Sequence, residues 1–326
     1  WQPLARASEL EAPGDFAAGC WLGEPVVAVR GDDGVARLLR NACLHHGAEV
    51  ARGTGRTRRL VCPYHGWSYG LDGRLLDLPR AQGIVGLSPG SDGLAALPTA
   101  WAGPFLFGAL SGRAPATPPI PAALEALLGA TGWLGLRHVG RRSYRIRCNW
   151  KVYVDNYLDG GYHVPALHRD LGGSLDGGSY RTEVHDRWVL QTVRAAGDGD
   201  ARVGSGAIYA FVHPNFMLNR YGPFLDTNWV VPLDAGHTLV VFDDFVDPEA
   251  PELVGPGGDE FLERSLARSE TVQREDEDVC ESVQRSLASV AYDRGRYAPA
   301  VETGLFAFHR WLAADLAADA ETGGTP

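Results

Sequence analysis

Residues 43–67 read CLHHGAEVARGTGRTRRLVCPYHGW. Two thiols and two imidazoles recur there in paired form, Cys43-x-His45 and Cys62-x-x-His65. Thiolate and imidazole together suit zinc or an iron–sulfur cluster. Structural zinc sites usually open with two cysteines and close with two histidines. Here each loop carries one of each. That arrangement suits a 2Fe–2S cluster in which one iron takes both thiolates and the other both imidazoles. Gly47 and Gly66 follow the ligands, where a backbone turning tightly toward a cluster needs a small residue. Neutral imidazole in place of thiolate raises the reduction potential, so such a cluster accepts electrons readily. His46 reads as a surface histidine rather than a ligand.

A second constellation lies in NWKVYVDNYLDGGYHVPALH, which carries His163 and His168 with Pro165 between them. Spacing i, i+5 does not align on a straight helix; a break at Pro165 would let the two rings converge. Two imidazoles and one carboxylate form the facial triad of ferrous oxygenases, which leaves positions open for dioxygen. Four successive acids, Glu275 to Asp278, offer the carboxylate. Val272, Val279, Cys280, Val283, Leu287 and Val290 would make one apolar stripe on a helix. At about 100° per residue, Asp276 lies within about 20° of its centre and Glu275 about 80° away. Asp276 is thus aimed at the core, where a carboxylate needs a cation as partner.

The pattern Cys-x-His-x16-Cys-x-x-His with CPYHGW resembles the Rieske domain of the Rieske non-heme iron oxygenases. The second half resembles the catalytic domain of the same family, a helix-grip fold of the START type. The resemblance implies a 2Fe–2S cluster on Cys43, His45, Cys62 and His65, and mononuclear Fe(II) on His163, His168 and Asp276. It implies a carboxylate just before the first iron-binding histidine, bridging to a cluster histidine of a neighbouring subunit. Asp159 fills that place, with His65 of the partner subunit beyond it. Many members carry this acid three residues before the histidine, where this chain has Gly160. Asn156 is expected to orient ligands or water. Asp155 is expected either on the electron path or in a structural role. Asp155, Asp159 and His163 would share one face of a continuous helix.

The family's head-to-tail contacts imply a homotrimer. The resemblance also implies O2 as cosubstrate, with NAD(P)H electrons arriving through a separate ferredoxin or flavin reductase; no GxGxxG fingerprint follows a strand in this chain. DNYLDGGYHVP and PNFMLNRYGPFLDTNWVVPL are similar to the choline monooxygenase-type members. That similarity implies hydroxylation of choline to betaine aldehyde hydrate. Phe211, Phe216, Tyr221, Phe224 and Trp229 are the expected pocket aromatics, since ring faces attract quaternary ammonium groups by about 0.5–2 kcal/mol each. Such rings are also ordinary strand core. Betaine or N-methyl demethylation and aromatic-ring hydroxylation are the alternatives within the family. An electron-transfer protein without catalytic iron and a zinc-stabilised binding module are the alternatives outside it.

The elements that must position these groups fall into two halves. From about 20 to 112, short alternating segments turn at Asp-Gly pairs, in PVVAVRGDDGVARLLRN and WSYGLDGRLLDL, which predicts an all-β domain. The Pro-rich RAPATPPIP, residues 113–121, predicts the boundary, giving a Rieske domain at 1–115 and a catalytic domain at 116–326. The second half predicts α+β: a helix in PAALEALLGAT, an antiparallel sheet over 180–246 and a long helix from Asp259 to Val290. The uncharged stretch 93–112 is broken by Pro98, Gly103 and Pro104 and reads as strand, not membrane span. A net charge of −10 over 326 residues argues against a nucleic-acid partner. Five cysteines, at 20, 43, 62, 148 and 280, make no disulfide framework and fit a reducing cytoplasm. No signal peptide is visible.

Overall fold

A computed structural model describes residues 1–197 and 200–321. The chain divides into two units, Trp1–Leu134 and the remainder from Gly135.

The first unit holds strands β1 (Gln2–Arg6), β2 (Asp15–Trp21), β3 (Glu24–Arg30), β4 (Ala36–Arg40), β5 (Gly53–Arg56), β6 (Leu60–Val61), β7 (Ser68–Tyr69), β8 (Leu75–Asp77), β9 (Ala96–Leu97), β10 (Thr99–Ala102) and β11 (Phe105–Gly108). They form a five-stranded sheet in the order β5-β2-β3-β4-β9 and two three-stranded sheets, β6-β7-β8 and β1-β11-β10. Both Asp-Gly pairs are turns. Gly34 (φ 76) closes β3 onto β4 and Gly73 (φ 88) closes β7 onto β8, each in the left-handed region that an L side chain resists. FLFG of the uncharged stretch is strand β11, buried throughout. Among the described residues no helix is long and apolar enough to cross a membrane.

Helix α1 (Ala122–Ala130) belongs to this first unit, so the division comes after the helix rather than at the Pro-rich connector. Leu124 and Leu128 are buried, and the ring of Trp133 fills the space where a Cβ on Gly103 would stand.

The second unit holds β12 (Arg137–Ile146), β13 (Arg181–Val184), β14 (Trp188–Arg194), β15 (Gly206–Val212), β16 (Phe216–Tyr221), β17 (Phe224–Asp234) and β18 (His237–Val246). They make one antiparallel sheet in the order β12-β18-β17-β16-β15-β14-β13. Its helices are α2 (Trp150–Tyr157), α3 (Val164–Leu167), α4 (Arg169–Ser174), α5 (Pro251–Val254), α6 (Gly258–Leu287) and α7 (Thr303–Glu321). One core joins Ile146, Val230 and Phe211 of the sheet to Val154 of α2, Cys280 of α6 and Phe308 of α7. The fold is the expected α+β arrangement, with helices laid on an antiparallel sheet.

Two local expectations change. Helix α2 ends at Tyr157, so Asp155, Asp159 and His163 do not share one helix; Gly160 and Gly161 both take positive φ (75° and 72°) and turn the chain. The apolar stripe on α6 is buried at Cys280 but exposed at Val283 and Leu287, and Val290 lies beyond the helix end. The residues α6 buries are Gly258, Ser265, Gln273 and Cys280, seven or eight apart, which is two helical turns. Asp276 sits between the last two of these.

Candidate metal centres and the cavity between helices and sheet

The first centre is built from two loops with one hydrogen-bond pattern. In one, Gly47 N donates to Cys43 O (2.8 Å) and Cys43 N to Ala48 O (2.9 Å). In the other, Gly66 N donates to Cys62 O (3.0 Å) and Cys62 N to Trp67 O (2.8 Å). Gly47 (φ 76) and Gly66 (φ 78) make the equivalent turns. Both cysteines lie in the core of the first unit, whereas His45 is half-buried and His65 exposed. The Nδ1 atoms of His45 and His65 stand 3.0 Å apart. Trp67 stacks on His45 (4.7 Å between centroids, 10° between planes) and so fixes the ring of the other loop. Desolvation first, then the charges of His46 and His65, holds the His45 imidazole below its ordinary range, which favours the neutral form a metal needs. Two inward thiols and two converging Nδ1 atoms on paired loops fit a 2Fe–2S cluster. His46 is exposed and stacks on His45.

Two supporting residues escaped the sequence reading. Tyr69 Oη accepts from Leu44 N (2.9 Å) and stands 3.1 Å from Cys43 Sγ, placed to donate to that sulfur. Asn41 ties off the first loop: its Oδ1 accepts from Val50 N and Ala51 N, and its Nδ2 donates to Ala51 O. Asn41 is buried, which is the only signal it gives, and burial is not visible in sequence.

The second centre gathers His163, His168 and Asp276, one ligand atom from each within 4.8 Å of the others. His163 and His168 cap the two ends of the one-turn helix α3. Pro165 sits in its first turn, where it starts a helix rather than breaking one. One turn of separation brings the rings to 4.9 Å between centroids, at 83°. Asp159 Oδ2 accepts from both Nδ1 (2.7 Å) and the backbone N (2.9 Å) of His163. His168 Nδ1 donates to Glu275 Oε2 (2.7 Å), and its Nε2 lies 3.1 Å from Asp276 Oδ1. Asn156 Nδ2 donates to the same Asp276 oxygen (2.7 Å). With both Nδ1 atoms held by carboxylates, the Nε2 atoms and Asp276 form a donor set that fits ferrous iron with an oriented outer shell. Burial pulls the His168 imidazolium down, but Asp276 and Glu275 outweigh it and its pKa is raised. Glu275, set aside in the sequence as pointing off the core, is therefore part of the site. Asp155 bonds elsewhere: His309 Nε2 donates to it (2.8 Å), and Tyr297 Oη lies 2.6 Å from His309 Nδ1.

A cavity of about 140 Å³ adjoins these ligands. Tyr153, Tyr157, Tyr180, Tyr209, Tyr221 and Phe242 bring aromatic rings to its wall. Of the five aromatics expected there, Tyr221 alone lines it. Strand parity explains part of this: Asn219 and Tyr221 of β16 and Asp226 and Asn228 of β17 face the cavity, so Phe216 and Trp229 face the other way. Phe211 and Phe224 have the right parity but are spent on Phe308 (5.6 Å) and Phe261 (5.8 Å). Polar groups are deep in the same wall. Asp226 accepts from Asn219 Nδ2 (2.6 Å) and Tyr221 Oη (2.7 Å). Burial raises the Asp226 carboxyl, with these two bonds opposing. Burial also pushes the Tyr209 hydroxyl up to about 12.

Residues 1–91 match the Rieske [2Fe-2S] domain, and residues 134–318 match the ring hydroxylating alpha subunit (catalytic domain). The chain is 41% identical to the chloroplastic choline monooxygenase of Arabidopsis thaliana, over 95% of this chain and 75% of that one. It is 30% identical to the carnitine monooxygenase oxygenase subunit of Acinetobacter baumannii, over 90% and 80%. Among solved structures it is similar to a quaternary ammonium Rieske monooxygenase in complex with L-carnitine (TM-score 0.81, 26% identity, 96% of this chain and 88% of that one). Naphthalene 1,2-dioxygenase from Rhodococcus shares the fold (TM-score 0.70, 21% identity, 89% and 77%). Two paired-loop ligand sets, a two-histidine-one-carboxylate triad and these matches agree: the chain belongs to the Rieske-type ring-hydroxylating oxygenase alpha-subunit family.

Proposed function

We propose that this Rieske oxygenase hydroxylates a small quaternary ammonium compound, choline or a carboxylated relative of it. The observation that carries the proposal is the cavity: tyrosine rings around a buried carboxylate, beside the His163–His168–Asp276 triad. Tyr157 Oη donates to Asn219 Oδ1 (2.7 Å), Tyr153 Oη to Gln273 Oε1 (2.8 Å) and Tyr221 Oη to Asp226 Oδ2 (2.7 Å), so these three hydroxyls are spent on the protein. What those three rings offer a ligand is their face, which attracts a methylated ammonium that has no proton to donate. Asp226 adds a buried carboxyl, which burial pulls toward its neutral form and a bound ammonium would hold as the anion. The quaternary ammonium oxygenases among the relatives support the same substrate class.

When bound, the cluster and ferrous ion would supply dioxygen activation: with two electrons from the NAD(P)H-dependent reductase and two protons from solvent, one oxygen atom would be inserted into a C–H bond and the other released as water. Asp159 fixes the tautomer of His163 by taking its Nδ1 proton in a hydrogen bond. Asn156 and Glu275 hold Asp276 and His168 in orientation. We assign Asp159 as the bridge toward His65 of the partner subunit in a head-to-tail trimer, fed by a separate NAD(P)H-dependent ferredoxin or flavin reductase. The free cysteines, all five unbridged, support a reducing, cytoplasmic setting. Oxygen uptake with a competent reductase tests the function. Choline, glycine betaine or carnitine should stimulate uptake and yield product in proportion. Uptake with naphthalene alone would replace the quaternary ammonium substrate by an arene.

A further inference from the structure

Among the described residues, Arg202 is a buried charge without a counter-ion. It is 8% exposed and lines the cavity together with His163, His168 and Asp276. Its Nη2 donates to Ser269 Oγ (2.7 Å), its guanidinium lies 4.9 Å over the Tyr221 ring, and its Nε has no partner among the described residues. Other arginines of this unit are matched to acids: Arg141 to Asp243 (2.7 Å) and Arg142 to Asp244 (2.8 Å). Among the described residues no carboxylate stands at ion-pair distance from Arg202; Asp200 and Asp226 feel its charge only from further off. A buried guanidinium left this way is costly, and a carboxylate is the partner that its donors match.

The same wall holds the opposite charge. Tyr221 offers its ring to Arg202 and its hydroxyl to Asp226, so cation and anion are set around one side chain. We infer that the cavity is built for a zwitterion: a trimethylammonium group against the tyrosine faces and Asp226, and a carboxylate against Arg202. The preferred substrate is then a betaine, a trimethylated amino acid, rather than choline, whose neutral hydroxyl leaves Arg202 unmatched. This rests on the quaternary ammonium function proposed above and narrows it.

Calorimetric titration of the cluster- and iron-loaded protein, anaerobic and without reductase, tests it on binding alone. Glycine betaine should bind about tenfold or more tighter than choline, the size of a charge-assisted hydrogen bond. The methyl ester of glycine betaine, which removes the carboxylate charge and leaves the protein untouched, should fall to the choline level. Arg202→Met should abolish the preference for glycine betaine over choline, with Arg202→Lys retaining part of the preference. Choline binding as tightly as glycine betaine, or the ester as tightly as the acid, overturns the zwitterion while the quaternary ammonium function stands. Binding of none of the three removes both.

Discussion

Both ring nitrogens of His168 face a carboxylate, and those two acids are neighbours in sequence. An imidazole presents its nitrogens on opposite edges, so Glu275 and Asp276, about 100° apart on α6, can flank a single ring. The acid on the outer nitrogen sets the tautomer and stiffens the ligand. Glu275→Ala should therefore lower affinity for the mononuclear iron about 10- to 100-fold, as loss of such outer partners typically does. Iron retained against a chelator, counted beside an unchanged cluster absorbance, measures this. Equal retention in Glu275→Ala and the parent protein would reduce Glu275 to a surface acid. Residue by residue, the candidate ligands were legible because their types and spacings are rare, and the fold brings His163, His168 and Asp276 together. Glu275 was not, since a helical projection scores a residue against the core, while the relevant target is one ring above it. The pocket aromatics failed for a related reason. Tyr209 and Tyr221 line the cavity and Phe216 and Trp229 do not, a difference of strand parity that composition cannot carry.

Elements hold the ligands through backbone turns more than through side chains. The cluster loops repeat one hydrogen-bonded turn twice, each closed within a few residues, and this locality is why the motif could be read directly. The iron site depends on the opposite kind of geometry. Between α2 and α3 the chain must leave a helix, present Asp159 and re-enter at His163. Gly160 makes that possible at φ 75, pressed so closely that a Cβ would collide with the Val301 carbonyl. The glycine pair was visible in sequence, yet regular spacing of Asp155, Asp159 and His163 masked the break. Gly160→Ala should cost about 1–3 kcal/mol in strain and displace Asp159 from His163. The expected readout is a lower melting temperature with loss of mononuclear iron. The cluster spectrum should persist, because its ligands belong to the other unit. An alanine variant with full iron content would show that the turn has slack.

At the scale of the whole molecule, two metal sites must act on one substrate, and the proposed trimer divides that task between subunits. A closed ring of heterologous contacts gives every subunit one neighbour on each side, so under the proposed route each cluster would serve the next subunit's iron through Asp159. His65 and Tyr64 are exposed on the cluster loop, as a group meant for a neighbour would be. This arrangement has an arithmetical consequence. A His65→Ala subunit lacks a working cluster and a His163→Ala subunit lacks the iron. Either alone should be inactive. Unfolded or co-expressed together and assembled at random in equal amounts, half of the subunits carry a live cluster and half of their neighbours a live iron. About a quarter of the parent activity should then return in the mixed ring. Electron transfer confined to a single chain allows no such recovery, since every chain in the mixture lacks one centre. Oxygen uptake by the mixed assembly, with size-exclusion confirming that rings of both subunits have formed, decides between the two; zero uptake from well-formed mixed rings would return the electron path to the single chain and leave Asp159 with only the His163 tautomer to hold.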